Sequence, residues 1–307
     1  GWLDAYIQKI YSGHDKKVTK DVVISTWQSI YKFPKKYFEQ FGCVIGDEAH
    51  LFKAKSLTSI MSKLHLCKYR FGLTGTLDDL QTHRLVLEGL FGTVNKVIST
   101  KELIEKKTLA NLKIDSLILG YKEDECKDVK NLKYADEMDY IVTHKKRLSF
   151  ITNLLGNVKG NVLVLYQFVE KHGKPLYDTI KEKYKDRNVF FVSGSVDALD
   201  REKIREISEK TNNAVIVASY GTFSTGINIK NLHNIIFSSP SKSKIRVLQS
   251  IGRGLRLNDN KEMCKLFDIA DDLTYKGKQN FTLRHFMERI NIYNEEQFDY
   301  TIHRINI

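Results

Sequence analysis

The chain is 307 residues long, 42% hydrophobic and 28% charged, and its 49 Lys+Arg against 37 Asp+Glu leave a formal net charge of +12. At roughly 150 residues per domain that length predicts two domains, and the composition excludes a disordered or fibrous chain. No run of about 18 apolar residues could span a membrane, and the opening GWLDAYIQKIYSGHDKK lacks a basic-then-apolar leader, so a cytoplasmic protein (bacterial, or of a phage-infected cell) is expected.

In chain order, short β-branched runs alternate with longer amphipathic stretches. Strands are predicted at DVVIST (21–26), CVIGD (43–47), YRFGLTG (69–75), VNKVIS (94–99) and KIDSLIL (113–119). The charged stretch YKEDECKDVKNLKYADEMDY (121–140) follows and reads as a connector with a helical ending. Strands resume at NVLVLY (161–166), NVFFVS (188–193), AVIVAS (214–219), NIIFSS (234–239) and CKLFDIA (264–270), with helices over 175–184, 198–210 and 244–255. Residues 271–305 read as closing helices. Continuous apolar strands with intervening helices imply a parallel sheet covered on both faces. The expected architecture is two α/β lobes, 1–118 and 146–307, joined by a linker over 119–145.

The positive surplus is even, +6 in residues 1–150 and +6 in 151–307, which suits a polyanion held along a surface of both halves. Cys43, Cys67, Cys126 and Cys264 show no CxxC spacing, and HExxH is absent, which argues against zinc or a disulfide framework.

Four segments carry chemistry. In FGCVIGDEAH (41–50) an apolar strand runs into Asp47 and Glu48, two carboxylates at the carboxyl end of a sheet strand, where open α/β sheets bind ligands. A nucleotide-dependent reaction uses such a pair to hold Mg²⁺ and to orient water; an acidic helix start is the plainer reading. FGLTGTL (71–77) presents Thr74 and Thr76 beside Gly75. ASYGTFSTGINI (218–229) ends a buried strand in hydroxyls and glycines suited to phosphate or sugar oxygens. In LQSIGRGLRL (248–257), Gln249, Arg253 and Arg256 fall at i, i+4 and i+7 on one helical face, two guanidinium groups and an amide shaped to clamp phosphate. Leu248, Ile251 and Leu255 fall on another face as core, and Gly252 would let that helix approach a neighbour closely.

In this order the four segments resemble the signature of the superfamily 2 helicases, with DEAH as motif II, LTGT as motif III, STGIN as motif V and QSIGRGLR as motif VI. ISTWQS (24–29) is similar to motif Ib, VLVLYQF (162–168) to motif IV, and FVSGSVDALDRE (191–202) to the segment that follows it. Within the superfamily the likeness is strongest to the recombination and branch-migration helicases of T-even phages. The resemblance implies two RecA-like lobes with ATP and Mg²⁺ in the cleft between them and nucleic acid across both, in a monomeric motor of recombination and repair acting on forked or branched DNA or on an RNA–DNA hybrid. It makes Asp47 the metal-coordinating acid, Glu48 the catalytic base, Arg253 and Arg256 the arginine fingers and Gln249 the γ-phosphate sensor. His50, Gly226 and Asn228 would face the nucleotide. Thr26, Gln28, Thr74, Thr76, Gln167, Ser193, Ser219 and Thr225 would line the nucleic-acid track.

The family also uses a P-loop, GxxxxGK followed by Ser or Thr, and the chain contains no such string. The expectation is a first lobe lacking its N-terminal part and a polypeptide that does not hydrolyse ATP at a motor's rate. Two further readings stay open: the motor module of a restriction or remodelling translocase, and a non-catalytic duplex-binding remnant.

Overall fold

The computed structural model describes residues 5–11, 16–77, 81–194, 196–222, 229–258 and 261–307. It divides into two compact units, Gly1–Lys96 and Val97–Ile307.

In the first unit, β1 (Ile7–Ile10) pairs in parallel with β2 (Val22–Ser25), followed by the short helices α1 (Trp27–Ile30) and α2 (Lys35–Phe38). A second parallel pair joins β3 (Cys43–Gly46) to β4 (Tyr69–Gly72), with a 3-10 turn at Ala49–Lys53 and α3 (Lys55–Lys63) between them, and α4 (Gln81–Phe91) after them. Phe38, Phe52, Leu57, Ile60, Met61, Leu64, Cys67 and Leu87 form its core. The packing is close at the strand ends: a Cβ on Gly46 would lie 2.7 Å from the Phe52 ring, and one on Gly72 would lie 2.9 Å from Phe91. Glycine at both positions lets those rings cover the strands directly.

The second unit opens with α5 (Thr100–Glu105) and β5 (Asn111–Gly120), then α6 (Glu123–Val129), α7 (Tyr134–Thr143) and α8 (Lys145–Leu154). Next come β6 (Val162–Tyr166), a π-helical turn (Val169–Gly173), α9 (Lys174–Lys183), β7 (Asn188–Val192), α10 (Ala198–Lys210) and β8 (Ala214–Ser219). It closes with β9 (Asn234–Phe237), α11 (Lys244–Gly254), β10 (Met263–Asp272), α12 (Phe281–Glu295) and β11 (Tyr300–Asn306). All seven strands are parallel, in the order β11-β5-β10-β9-β6-β8-β7. Alternation sends neighbouring apolar side chains to opposite faces. Leu163 and Leu165 of β6, with Ile216 and Ala218 of β8, therefore enter one core, and Val162, Val164, Tyr166, Val215 and Val217 enter the other. That double burial is why these strands read as unbroken apolar runs.

Several expectations meet a different structure. The boundary at 118 falls inside β5, which lies between β10 and β11 in the second unit's sheet, so 97–118 packs with that unit. The expected linker is largely helical: Cys126, Val129 and Ile141 pack with Leu273 in a small core. Its Glu137, only 2% exposed, accepts from the Phe281 and Thr282 amides at 2.9 and 2.7 Å and so caps α12. Most of the stretch's charges stay on the solvent side, which is why it reads as a connector. Residues 94–99 form no strand; Ser99 there accepts from the Glu102 amide as the N-cap of α5. Residues 300–306 of the expected helical tail form β11, an edge strand.

Candidate active site

In the first unit β3 leads directly into the acid pair. The ladder runs one step past the strands, with the Leu73 amide donating to Gly46 O and the Ala49 amide to Leu73 O, both at 2.8 Å. Asp47 Oδ1 accepts from the Glu48 amide at 2.9 Å. Glu48 itself sits at φ 50°, ψ 51°, a left-handed conformation that costs a non-glycine residue free energy and is held here by the paired strand ends on either side of the turn. Both carboxylates are exposed.

His50 is buried, its Nδ1 3.0 Å from Thr74 Oγ1 and 3.3 Å from Glu48 Oε2. Thr74 Oγ1 donates its own proton to Thr76 O at 2.8 Å, so Nδ1 carries the proton that His50 shares with it. The Thr76 amide returns a bond to Thr74 Oγ1 at 3.3 Å. The two expected motifs are thus joined: the imidazole bridges the carboxylate turn after β3 and the threonine turn after β4. Thr74, expected on the nucleic-acid track, has its hydroxyl engaged in this bridge. A solvent-facing Asp47 beside Glu48 fits Mg²⁺, which keeps several waters and takes one or two carboxylates besides phosphate oxygens. Thr26 precedes α1, its hydroxyl 2.9 Å from that of Ser29, and Gln28 is exposed on α1.

In the second unit Gln167, Ser193 and Ser219 lie at the carboxyl ends of β6, β7 and β8, the edge at which parallel sheets bind ligands. Gln167 is exposed, and its amide donates to Ser239 Oγ at 3.1 Å. Ser193 is buried, and its carbonyl accepts from the Val196 amide at 3.2 Å. The Ser219 hydroxyl donates to Thr222 Oγ1 at 2.7 Å and accepts from the Thr222 amide at 3.2 Å, closing a tight turn. Ser224, Thr225, Gly226 and Asn228 lie outside the described residues.

The arginine segment departs from expectation in two details. Gln249 and Arg253 sit half-buried on α11, but the helix ends at Gly254 and Arg256 follows its C-cap, Leu255. The close approach belongs to Gly254, where a Cβ would stand 2.5 Å from Ile235 Cδ1 and 2.8 Å from Cys264 Sγ, whereas nothing lies within 4 Å of one at Gly252. Leu255 and Ile251 are core and Leu248 packs against them, as expected.

Sequence reasoning passed over two supporting groups. Lys261, 2% exposed, donates its Nζ to the carbonyls of Gly254, Arg256 (2.9 Å) and Lys230 (3.3 Å), fastening the end of α11 where the arginines emerge; burial lowers its pKa. Behind Gln167, Ser239 Oγ meets His172 Nδ1 at 2.8 Å and Ser239 O accepts from Tyr220 OH at 3.1 Å. Tyr220 in turn lies under the Arg246 guanidinium, 5.6 Å from ring centroid to Cζ. A lysine in a polar run and an isolated histidine carry no local signal for such long-range contacts.

Two protein families match the chain: the Type III restriction enzyme, res subunit, over residues 2–79, and the helicase conserved C-terminal domain over 146–258. The chain is 37% identical over 320 residues to the ATP-dependent DNA helicase uvsW of Enterobacteria phage T4, covering 99% of this chain and 63% of that protein. It is 27% identical to the probable helicase D10 of Escherichia phage T5, over 83% of this chain and 54% of that one. The chain therefore spans between half and two thirds of the length of these relatives. The crystal structure of T4 UvsW superposes with a TM-score of 0.57 at 36% identity, covering 99% of this chain and 62% of that one. The fold is shared as well by the ATP-dependent Type ISP restriction-modification enzyme LlaBIII bound to DNA, with a TM-score of 0.62 at 18% identity over 93% of this chain and 23% of that one.

Proposed function

The chain belongs to the superfamily 2 helicases, and from that premise we propose that it is the motor portion of an ATP-dependent DNA helicase or translocase of recombination and repair, acting on forked or branched DNA as a monomer in the cytoplasm. The observation that carries this reading is the His50 bridge, which ties the carboxylates of one turn to the threonine turn of the next strand. An acidic helix start needs no such tie.

In this reading Asp47 would hold Mg²⁺, and Glu48 orients and deprotonates the water that attacks the γ-phosphate. Arg253 and Arg256 stabilise the charge that builds on the transferred phosphoryl group, and Gln249 registers whether it is present. Bound Mg²⁺ supplies charge neutralisation on the phosphate oxygens. Gln167, Ser193, Ser219, Thr26 and Gln28 contact phosphates and sugars, which positions a strand without reading its sequence.

In a version of the protein that also carries a P-loop, Glu48→Gln and Arg253→Ala should abolish unwinding while DNA binding persists. Unwinding that survives either substitution would refute the role of the residue replaced. The 307-residue chain alone, lacking a GxxxxGK[ST] string, should bind DNA without DNA-stimulated ATP turnover at a motor's rate. A restriction-type translocase is the second reading, favoured by the family matched over residues 2–79; the phage helicase, similar over 99% of the chain, outweighs it.

A further inference from the structure

The second unit carries a basic face that none of the helicase-like segments includes. Residues 129–134, at the end of α6 and just beyond it, and residues 273–287, running from the end of β10 into α12, hold Lys130, Lys133, Lys276, Lys278 and Arg284 and no acid. All five are exposed. Because β5 and β10 are neighbours, the segments that leave their carboxyl ends meet. Lys130 Nζ lies 5.1 Å from the Tyr275 ring centroid, and Lys278 Nζ donates to Asn131 Oδ1 at 3.4 Å. A two-residue turn presents the lysines: the Tyr275 and Lys278 amides donate to each other's carbonyls at 3.2 and 3.0 Å, with Lys276 and Gly277 at φ 46° and 81°. Lys130, Lys278 and Arg284 line one shallow cavity. Glu137 lines it too, but it is buried, and its two oxygens accept from the first amides of α12, so its charge faces the helix start.

We propose that this face grips the sugar–phosphate backbone of duplex DNA, as the arm of a forked substrate. The inference rests on the nucleic-acid reading above and adds a contact beyond the strand track. Rings are present on the face, but they are engaged: Lys130 and Lys276 lie over Tyr275, Arg284 Cζ lies 4.6 Å from the Phe281 centroid, and Tyr134 meets Phe281 and His285 edge-on. Rings held in this way are poor stacking partners for an unpaired base, and what faces solvent is charge. That charge comes from three segments, the end of α6, the 275–278 turn and the start of α12, so it covers an area rather than a line. An area of cations suits the two backbones that flank a groove. In the sheet order, β10 and β5 stand two and three strand spacings of about 4.8 Å from β6, whose carboxyl end carries Gln167. A strand held at Gln167 and a duplex on this face then belong to one fork.

The test titrates the 307-residue chain into fluorescein-labelled blunt duplex, oligo(dT) and hexaglutamate, reading anisotropy over a series of salt concentrations. K130E/K278E/R284E should weaken duplex binding at least about tenfold and lower the slope of log K against log salt by about 3, while oligo(dT) affinity stays unchanged. K130Q/K278Q/R284Q should move duplex binding the same way by a smaller factor, and its urea midpoint shows whether the fold is kept. K181E/K183E/K185E makes the same change in net charge with exposed lysines at the opposite edge of the sheet, and it should leave duplex binding as it was. Duplex affinity and salt slope that survive both triple substitutions of the face overturn the proposal and, with oligo(dT) still bound, leave the helicase reading standing. Equal losses for duplex and oligo(dT), or an equal loss in the control, overturn the assignment to a duplex arm. Loss of hexaglutamate binding with duplex binding intact overturns it in favour of an acidic protein. A parent chain that binds neither DNA overturns both readings.

Discussion

At Gly254 a methyl group would have to enter between Ile235 Cδ1 and Cys264 Sγ, two fully buried atoms of β9 and β10, whereas at Gly252 it would meet open space. The two glycines are two residues apart on one helix, and the difference separates packing from mere helical permissiveness. Gly254→Ala should therefore destabilise the second unit by about 1–3 kcal/mol, because the core must shift to admit it. Gly252→Ala, at an exposed helix position, should be neutral or stabilise by about 0.5–1 kcal/mol. Urea unfolding of the two variants decides the matter, and equal effects would refute the assignment. The sequence points to Gly252, a glycine inside an apolar helical pattern, as the site of close approach. Which of the two touches the sheet depends on where α11 crosses β9 and β10, a fact of the assembled unit.

The π-helical turn after β6 is the corresponding case for an element. It turns His172 inward, where its Nδ1 lies 2.8 Å from Ser239 Oγ, the same oxygen that accepts from the Gln167 amide. Burial, helped by the Arg147 guanidinium, lowers the His172 pKa from 6.5 to about 3. Because the folded value lies below the unfolded one, the neutral imidazole contributes stability above pH 6.5, and that contribution fades as the pH falls toward 3. The slope approaches about 1.4 kcal/mol per pH unit from this group alone. His172→Gln should remove that part of the acid slope in urea midpoints measured between neutral pH and about 4.5; an identical slope in variant and parent would contradict it. β11 and α12 show how elements are misread. α12 is amphipathic and was legible as a helix, but YTIHRIN alternates in a segment that follows it closely and, among the described strands, pairs with β5 alone. Its weak signal came from a strand half open to solvent, and its β-branched residues were the cue that could have separated it from the helix.

For the whole molecule the consequential element is β5. It lies between β10 and β11, and Ile114, Leu117, Ile118 and Leu119 on it are all 6% exposed or less. Burying each such side chain contributes about 1.5–3 kcal/mol, so losing the three that precede residue 119 removes a large share of a domain's stability of about 5–15 kcal/mol. A polypeptide of residues 97–307 should then unfold cooperatively in urea, while 119–307 should show no native transition; a cooperative 119–307 with an unchanged midpoint would restore a boundary at 118. The sequence by itself determined the α/β class, the parallel strands of the second unit and the order of the helicase-like segments, because each of these is written in neighbouring residues: buried strands as apolar runs, turns as small and hydroxyl residues, arginines at helical spacing. Only the tertiary structure decided that β5 belongs to the second unit, that His50 reaches Thr74, that Lys261 fastens the end of α11 and that Gly254 touches the sheet. Those contacts join residues from 7 to more than 100 positions apart, and pairing at such range is set by sheet order and packing, which no local pattern encodes.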